Sequence, residues 1–388
     1  MSDTANEADV VIVGGGVSGC AIARELATDH DVVLVEKSQV ASEASALAAG
    51  IIGISVTYDR YPAIGAHAAR FFEDLDGTGQ FSYTRRGSVR PVPPEKENDL
   101  RMDVEYLRGE GHDVTFREAA DLPDRYPWLN SGPYAGAIEY PAEAGKGWTD
   151  PYTLAVTLKE QAEKRGATIV TNTNVREILT EANSISGVRT DSGVVCAPNV
   201  VVAAGWRTPR LLDDLVEVPV RPYRTQVIVL DPGVDVRGWP MGDYGEEHVY
   251  WRPENNGHLL IGGHSFPTDT PTEASRDEDE SFRQHVASVV PKIFSGLAGA
   301  EFVDGWAGVD AATPDTYPII DAPDDAPDGL VVATGFNGRG VMTAPVTGVA
   351  TRALVTGKEP PFPLDPFGID RFDSRSSDFE FVSISSAD

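Results

Sequence analysis

The sequence predicts an α/β protein in two parts, one domain on a parallel sheet that opens with a βαβ unit and a second α+β domain built on an antiparallel sheet. Three observations carry this. At the start, Asp9-Val10-Val11-Ile12-Val13 is an apolar run of the kind buried on both faces in parallel sheets. It leads into Gly14-Gly15-Gly16-Val17-Ser18-Gly19, a helix-forming stretch over 20–28, and a second apolar run, Val32-Val33-Leu34-Val35, that ends at Glu36. Between residues 218 and 263 apolar and polar side chains alternate as in half-buried strands. Asn255-Asn256-Gly257, between His248-Val249-Tyr250-Trp251 and His258-Leu259-Leu260-Ile261, marks a hairpin there. Late in the chain, Leu330-Val331-Val332-Ala333 reads as a buried strand that runs into Gly335-Phe336-Asn337-Gly338-Arg339-Gly340 and a closing helix over 341–354.

The intervening elements follow from the same rules. Ile64, Ala68, Phe71, Phe72 and Leu75 recur at helical spacing, and a helix is expected around residues 100–107. At Asp150-Pro151 an acid able to accept from free helix amides precedes a proline suited to the first helical turn, which predicts a helix through Leu154, Leu158 and Ala162. Short strands are expected at 168–170, 185–190 and 200–204, and an amphipathic helix turns Phe282, Val286, Val289, Val290 and Ile293 inward.

Composition limits the function. A chain of 388 residues exceeds one ordinary core, and 41% hydrophobic with 24% charged residues excludes a largely disordered or fibrous protein. Sixty acidic against 32 basic side chains give a formal net charge of -28, which repels nucleic-acid backbones and anionic lipid surfaces. The acids are spread along the chain, as in Asp277-Glu278-Asp279-Glu280, consistent with a solvated surface adapted to high salt. Cys20 and Cys196 are the only cysteines, so neither a disulfide framework nor a CxxC metal site is expected. With no basic leader at the acidic N-terminus and no apolar run approaching about 18 residues, the expectation is a cytoplasmic protein without a membrane span.

Gly14, Gly16 and Gly19 form a GxGxxG fingerprint: one glycine for the tight turn, one for close approach of a diphosphate, one for packing helix against strand. Val17 and Ser18 belong to the same turn, and the free amides of the helix behind it would meet that diphosphate. Glu36, 17 residues beyond Gly19, is placed to accept from ribose hydroxyls, with Lys37 beside it. This pattern does not separate NAD from FAD. The second glycine-rich turn, Gly335, Gly338, Arg339, Gly340 and Val341, offers further helix amides suited to negative charge on a reduced flavin.

With these pieces in view, the chain resembles the FAD-dependent amino-acid and amine oxidoreductases that include D-amino-acid oxidase, glycine oxidase and sarcosine oxidase. The resemblance runs from about Ala8 to Phe372. It rests on GGGVSG with Glu36, Ser45-Ala46 through Ala49-Gly50, Gly147-Trp148-Thr149-Asp150-Pro151, Val201-Val202-Ala203-Ala204-Gly205-Trp206, Gly308 through Pro314-Asp315 to Ile320, and residues 333–340. The Ser- and Asp-rich end of the chain predicts a flexible tail over 373–388. The resemblance implies a Rossmann-like FAD-binding domain made of residues 1–60, 145–217 and 300–372 and a substrate domain of residues 61–144 and 218–299 whose sheet roofs the flavin. It also implies Val175, Ala204, Gly205 and Trp206 along the adenosine and Ala49, Gly50 and Ile51 near the flavin. Leu47 and Gly308 stand where relatives carry a linking histidine or cysteine, so the FAD is expected to be non-covalent.

On the substrate side the resemblance implies oxidation of a small amine or amino acid (a D-amino acid, glycine or an N-methylated amino acid) by hydride transfer to flavin N5, giving an imine that hydrolyses. The family commonly has a carboxylate-gripping arginine two residues after Gly308, where this chain has Asp310. Another cation grips the carboxylate, the substrate carries a cationic group, or Asp310 is one more exposed acid. Arg339 is the favoured substitute, with Arg252 and Arg60 behind it. Tyr250 and His264 resemble active-site positions on the roof, the plain alternative for each being packing. Leu260 replaces a lysine that assists dioxygen in sarcosine oxidases, so a dehydrogenase passing electrons to a quinone or protein acceptor is expected. The rival readings are an FAD-dependent 2-hydroxyacid or polyol dehydrogenase, a flavin-binding subunit of a multi-component electron-transfer complex, and a plain NAD dehydrogenase.

Overall fold

The structure, a computed structural model, describes residues 6–384. A six-stranded sheet in the order Thr168–Val170, Val32–Val35, Val10–Val13, Asn199–Val202, Leu330–Thr334, Ile319–Asp321 is parallel except for its last strand. The apolar runs reflect burial on both faces. Val11, Val13, Val33, Val35, Val200 and Val202 join Ile178, Val188 and Val195 of a second, four-stranded sheet. Val10, Ile12, Leu34 and Val201 instead meet Ile22 and Leu26 of the first helix, Val17–Leu26. That helix packs among Pro62–Leu75, Pro151–Lys164 and Gly340–Thr356, burying Cys20, Phe72, Leu154 and Val346 together. Asp150 caps the helix Pro151–Lys164 as its sequence predicts, its Oδ1 accepting from the amides of Tyr152 at 2.8 Å and Thr153 at 3.1 Å.

The roof is an eight-stranded sheet in the order Glu301–Ala312, Arg221–Asp231, Leu259–Pro267, Val249–Pro253, Met241–Tyr244, Ser88–Val92, Gly136–Tyr140, Thr115–Glu118. The hairpin around Asn255-Asn256-Gly257 joins its third and fourth strands. One face carries Trp251, Ile261 and Ile228 against Phe282, Val286 and Ile293 of the helix Glu280–Ile293. The other face looks onto the cavity described below.

Three expectations about the parts are corrected. Residues 301–312, expected in the coenzyme domain, pair along Arg221–Asp231 and form an edge of the roof. The helix Pro62–Leu75, expected in the substrate domain, packs with the coenzyme-domain helices because its apolar stripe faces Tyr58, Leu154 and Ala344. The tail is not loose over 373–384. Arg221 Nη1 donates to the Phe379 carbonyl at 2.9 Å, the Phe381 ring lies 5.0 Å from that of Tyr223, and Arg375 pairs with Asp325 and Asp370. Its Ser and Asp content hid the apolar side chains of Phe379, Phe381 and Ile384. Residues 385–388 lie outside the described residues.

Candidate active site

A cavity of about 600 Å³ runs from the first glycine turn to the inner face of the roof. At the glycine-turn end the backbone is set by contact as much as by flexibility. A Cβ on Gly19 would fall 1.9 Å from the Gly14 carbonyl oxygen, and one on Gly14 (φ +114°) 2.3 Å from that of Ala203. The helix Val17–Leu26 begins behind Gly16, which has no capping side chain, and carries no acid in its first turn. Its amide end therefore faces the cavity as an anion seat. Ser45 Oγ takes the Val17 N–H at 2.9 Å, so this seat is partly shared with the loop over 42–50. Glu36 is buried and lines the cavity, with one carboxylate oxygen on Gly15 N–H at 2.7 Å and the other on Ser38 N–H at 2.9 Å. The second oxygen also accepts from the Ser38 hydroxyl at 3.3 Å, so the oxygen on Gly15 is the one that keeps a lone pair for a further donor.

Gly14, Gly16, Val17, Ser18, Lys37, Ser45, Ala49, Gly50, Ile51, Val175, Ala204, Gly205 and Trp206 all line this cavity, as do Gly338, Gly340 and Val341 from the second turn. The helix Gly340–Thr356 likewise starts without a side-chain cap or an acid in its first turn. The loop over 42–50 is held from the roof by donors to its carbonyls: Trp306 Nε1 to Leu47 at 2.8 Å, Arg276 Nη2 to Ser42 at 3.1 Å and Arg252 Nε to Ala49 at 2.5 Å.

At the other end the roof presents Tyr223, Thr225, Tyr250, Ser265, Gly308 and Asp310, with Ser88, Arg90, Met241 and Asp243, and Lys146 joins them from the short strand Lys146–Trp148. Tyr250 lies flat against its neighbouring strand because Gly262 opposite has no side chain; a Cβ there would come within 2.3 Å of the ring. Burial pushes its hydroxyl up to about 12, so it is a donor throughout the working range. Asp310 Oδ2 accepts from Gly338 N–H at 2.7 Å and from the Tyr223 hydroxyl at 3.3 Å. Burial raises its carboxyl above the ordinary value, against the pull of the Ala311 and Gly338 amides and Tyr223.

Several expected site residues are elsewhere. His264 is exposed on the opposite face of the roof, its ring 5.8 Å from Phe282 and 5.9 Å from His285. The cause is a bulge: Gly263 and His264 both have left-handed φ, the register with Arg221–Asp231 shifts there, and Ser265 turns into the cavity instead, hydrogen bonding Thr225 at 2.9 Å. Arg339 points away, its guanidinium donating to Thr316 O and Oγ1 at 3.2 Å and lying over the Tyr317 ring. Gly335 is a turn residue packed on Thr313, and Gly19 and Ala46 shape the backbone without lining the cavity. Lys146, Arg90 and Asp243 were not foreseen. They come from strands far apart in sequence that only the sheet order brings together, although Lys146 directly precedes the Gly147-Trp148 motif.

Residues 9–354 match the family described as FAD dependent oxidoreductase. The chain belongs to that family. Among similar proteins, glycine oxidase from Geobacillus kaustophilus is 29% identical over 377 residues, covering 94% of this chain and 97% of the relative. Glycine oxidase from Pseudomonas aeruginosa is 29% identical, covering 92% and 98%. The solved structure of the Geobacillus kaustophilus enzyme superposes with a TM-score of 0.84 at 26% identity, covering 95% of this chain and all of that one. An L-proline dehydrogenase structure from P. horikoshii shares the fold, with a TM-score of 0.85 at 23% identity over 95% of this chain and 99% of that one. The fold and the coenzyme are thereby fixed: this is an FAD-dependent oxidoreductase. The residues fit the coenzyme. Two helix starts without side-chain caps face one cavity, Glu36 lines it beside the glycine turn where it could accept from a ribose, and that turn leaves room for a diphosphate where a Cβ would clash.

Proposed function

We propose that the protein oxidises the carbon–nitrogen bond of a small amino acid or amine, such as a D-amino acid, glycine or an N-methylated amino acid. The observation that carries this is the roof: polar groups led by Tyr250 and Asp310 converge on the cavity end opposite the diphosphate seat, in a chain similar over almost its whole length to glycine oxidases. Bound FAD supplies the hydride acceptor, and the product is an imine that water hydrolyses. The chain's residues do the rest. The Tyr250 hydroxyl donates to the substrate and fixes its orientation over the coenzyme. Asp310, which lines the cavity, places negative charge where an amine is bound and can hold its proton. Tyr223 and Gly338 keep that carboxylate in place.

A dehydrogenase is favoured over an oxidase. Leu260 is buried beside Arg252 and presents no charge to stabilise reduced dioxygen. The electrons then go to a quinone or protein acceptor, and the cytoplasm is the proposed location. Gly308 packs at Leu47 with no nucleophile at either position, which supports non-covalent FAD.

Product analysis tests the reading. Turnover with an artificial acceptor on amino acids, N-methylated amino acids and 2-hydroxyacids is expected to release a carbonyl compound together with ammonia or an amine. A carbonyl compound formed from 2-hydroxyacids alone would overturn it, and rapid peroxide formation by the reduced protein would overturn the dehydrogenase assignment.

A further inference from the structure

Position 310 lacks a carboxylate-gripping arginine, and the structure removes the substitutes that the sequence suggested. Arg339 is engaged by Thr316. Arg252 is held by Ala49 and by Glu254, 2.9 Å away, and although its Nη1 stays unpartnered it is buried outside the cavity lining. Arg60 is exposed. The cavity nevertheless contains an unmatched cation. We propose that Lys146 anchors the carboxylate of the substrate, which makes that substrate an amino acid rather than a simple amine; this rests on the reading of the site as one for amine oxidation.

Lys146 starts the strand Lys146–Trp148, pairs with Gly53 of the coenzyme-side loop, and is only 8% exposed, yet it lines the cavity. Its ammonium lies 4.0 Å from the centre of the Tyr140 ring and makes no hydrogen bond or ion pair among the described residues. The charged and titratable groups facing it are Tyr140, Arg90 and Asp243, from three neighbouring roof strands. Arg90 Nε holds Asp243 at 2.5 Å, so those two charges largely cancel and leave Lys146 as net positive charge. Burying an ammonium without an anion is costly, and the consequence is visible: burial, with Arg90, outweighs Asp243 and lowers the amine to about 8.

A carboxylate supplies the missing partner. Tyr250 sits directly across from Asp243 in the sheet and lines the same cavity, so a neutral donor and a cation are available for two carboxylate oxygens. The arginine of the relatives is thus replaced by a lysine on a different element. The sign follows from the lowered amine: Lys146 is cationic below about 8, and the grip weakens as pH rises through that value.

The test titrates the FAD-loaded protein with acetate, and with uncharged acetamide, following the visible flavin spectrum for wild type, Lys146→Met and Lys146→Arg. Acetate is expected to perturb the wild-type and Lys146→Arg spectra and to bind Lys146→Met at least about tenfold more weakly, with acetamide inert. Wild-type affinity is expected to fall between about pH 7 and about pH 9.5. Equal acetate affinity in Lys146→Met, or no acetate binding by wild type, overturns the proposal. If Lys146→Met loses its flavin, the pH series and Lys146→Arg decide: pH-independent binding contradicts, pH-dependent binding retained by Arg supports. Because no turnover is involved, acetate binding that depends on Lys146 would stand even if no amino acid reduced the flavin, and a failed grip would leave amine oxidation open.

Discussion

Tyr250 and His264 are on adjacent roof strands, and their side chains part company at one bulge. Both carry a polar group on a strand of alternating pattern, so sequence alone places both on the same side of the sheet. The left-handed pair at Gly263 and His264 reverses the second of them. Removing the Tyr250 hydroxyl with Tyr250→Phe is expected to lower kcat/KM about tenfold, the worth of one substrate hydrogen bond, whereas His264→Gln is expected to stay within about twofold of wild type. Steady-state kinetics on the two variants checks both, and the reverse ranking would place the bulge wrongly. The place of Glu36 in the cavity lining was legible because strand, turn, helix, strand and acid come in a fixed order. That of Lys146 was not, because its setting is made by Tyr140, Arg90 and Asp243, which a linear pattern does not bring to one place.

Elements were legible where burial is complete on both faces. The strands Val10–Val13, Val32–Val35, Asn199–Val202 and Leu330–Thr334 each read as an unbroken apolar run, and each divides its side chains between two cores. The strand Glu301–Ala312 was harder, since its first half is exposed and only pairing with Arg221–Asp231 assigns it to the roof. The tail was misread for a related reason. Its composition suggests disorder, yet Phe381 against Tyr223 and Ile384 against Gly338 close one wall of the substrate end. Truncation after Asp373 is expected to leave FAD bound, because no residue of the diphosphate seat is lost, and to raise KM for the amino acid several-fold as Tyr223 and Asp310 become solvated. An unchanged KM would show that this wall has no part in substrate binding.

For the whole molecule, sixty acids against 32 bases leave a net charge of -28 that the compact state must carry. Its self-repulsion is screened within about 8 Å at physiological ionic strength and within about 3 Å near 1 M. The melting temperature is therefore expected to rise as sodium chloride is added, and a melting temperature that rises on desalting would contradict a salt-adapted surface. The two large sheets share one cavity: the parallel sheet contributes the glycine turn and Glu36, and the roof brings distant strands together at the other end. The most direct measurement is anaerobic stopped-flow mixing of the FAD-loaded protein with D-amino acids, glycine, N-methylated amino acids and 2-hydroxyacids. The account predicts that at least one amino acid bleaches the bound flavin in a saturable phase while 2-hydroxyacids leave it yellow; a flavin reduced by 2-hydroxyacids and by no amino acid would contradict it.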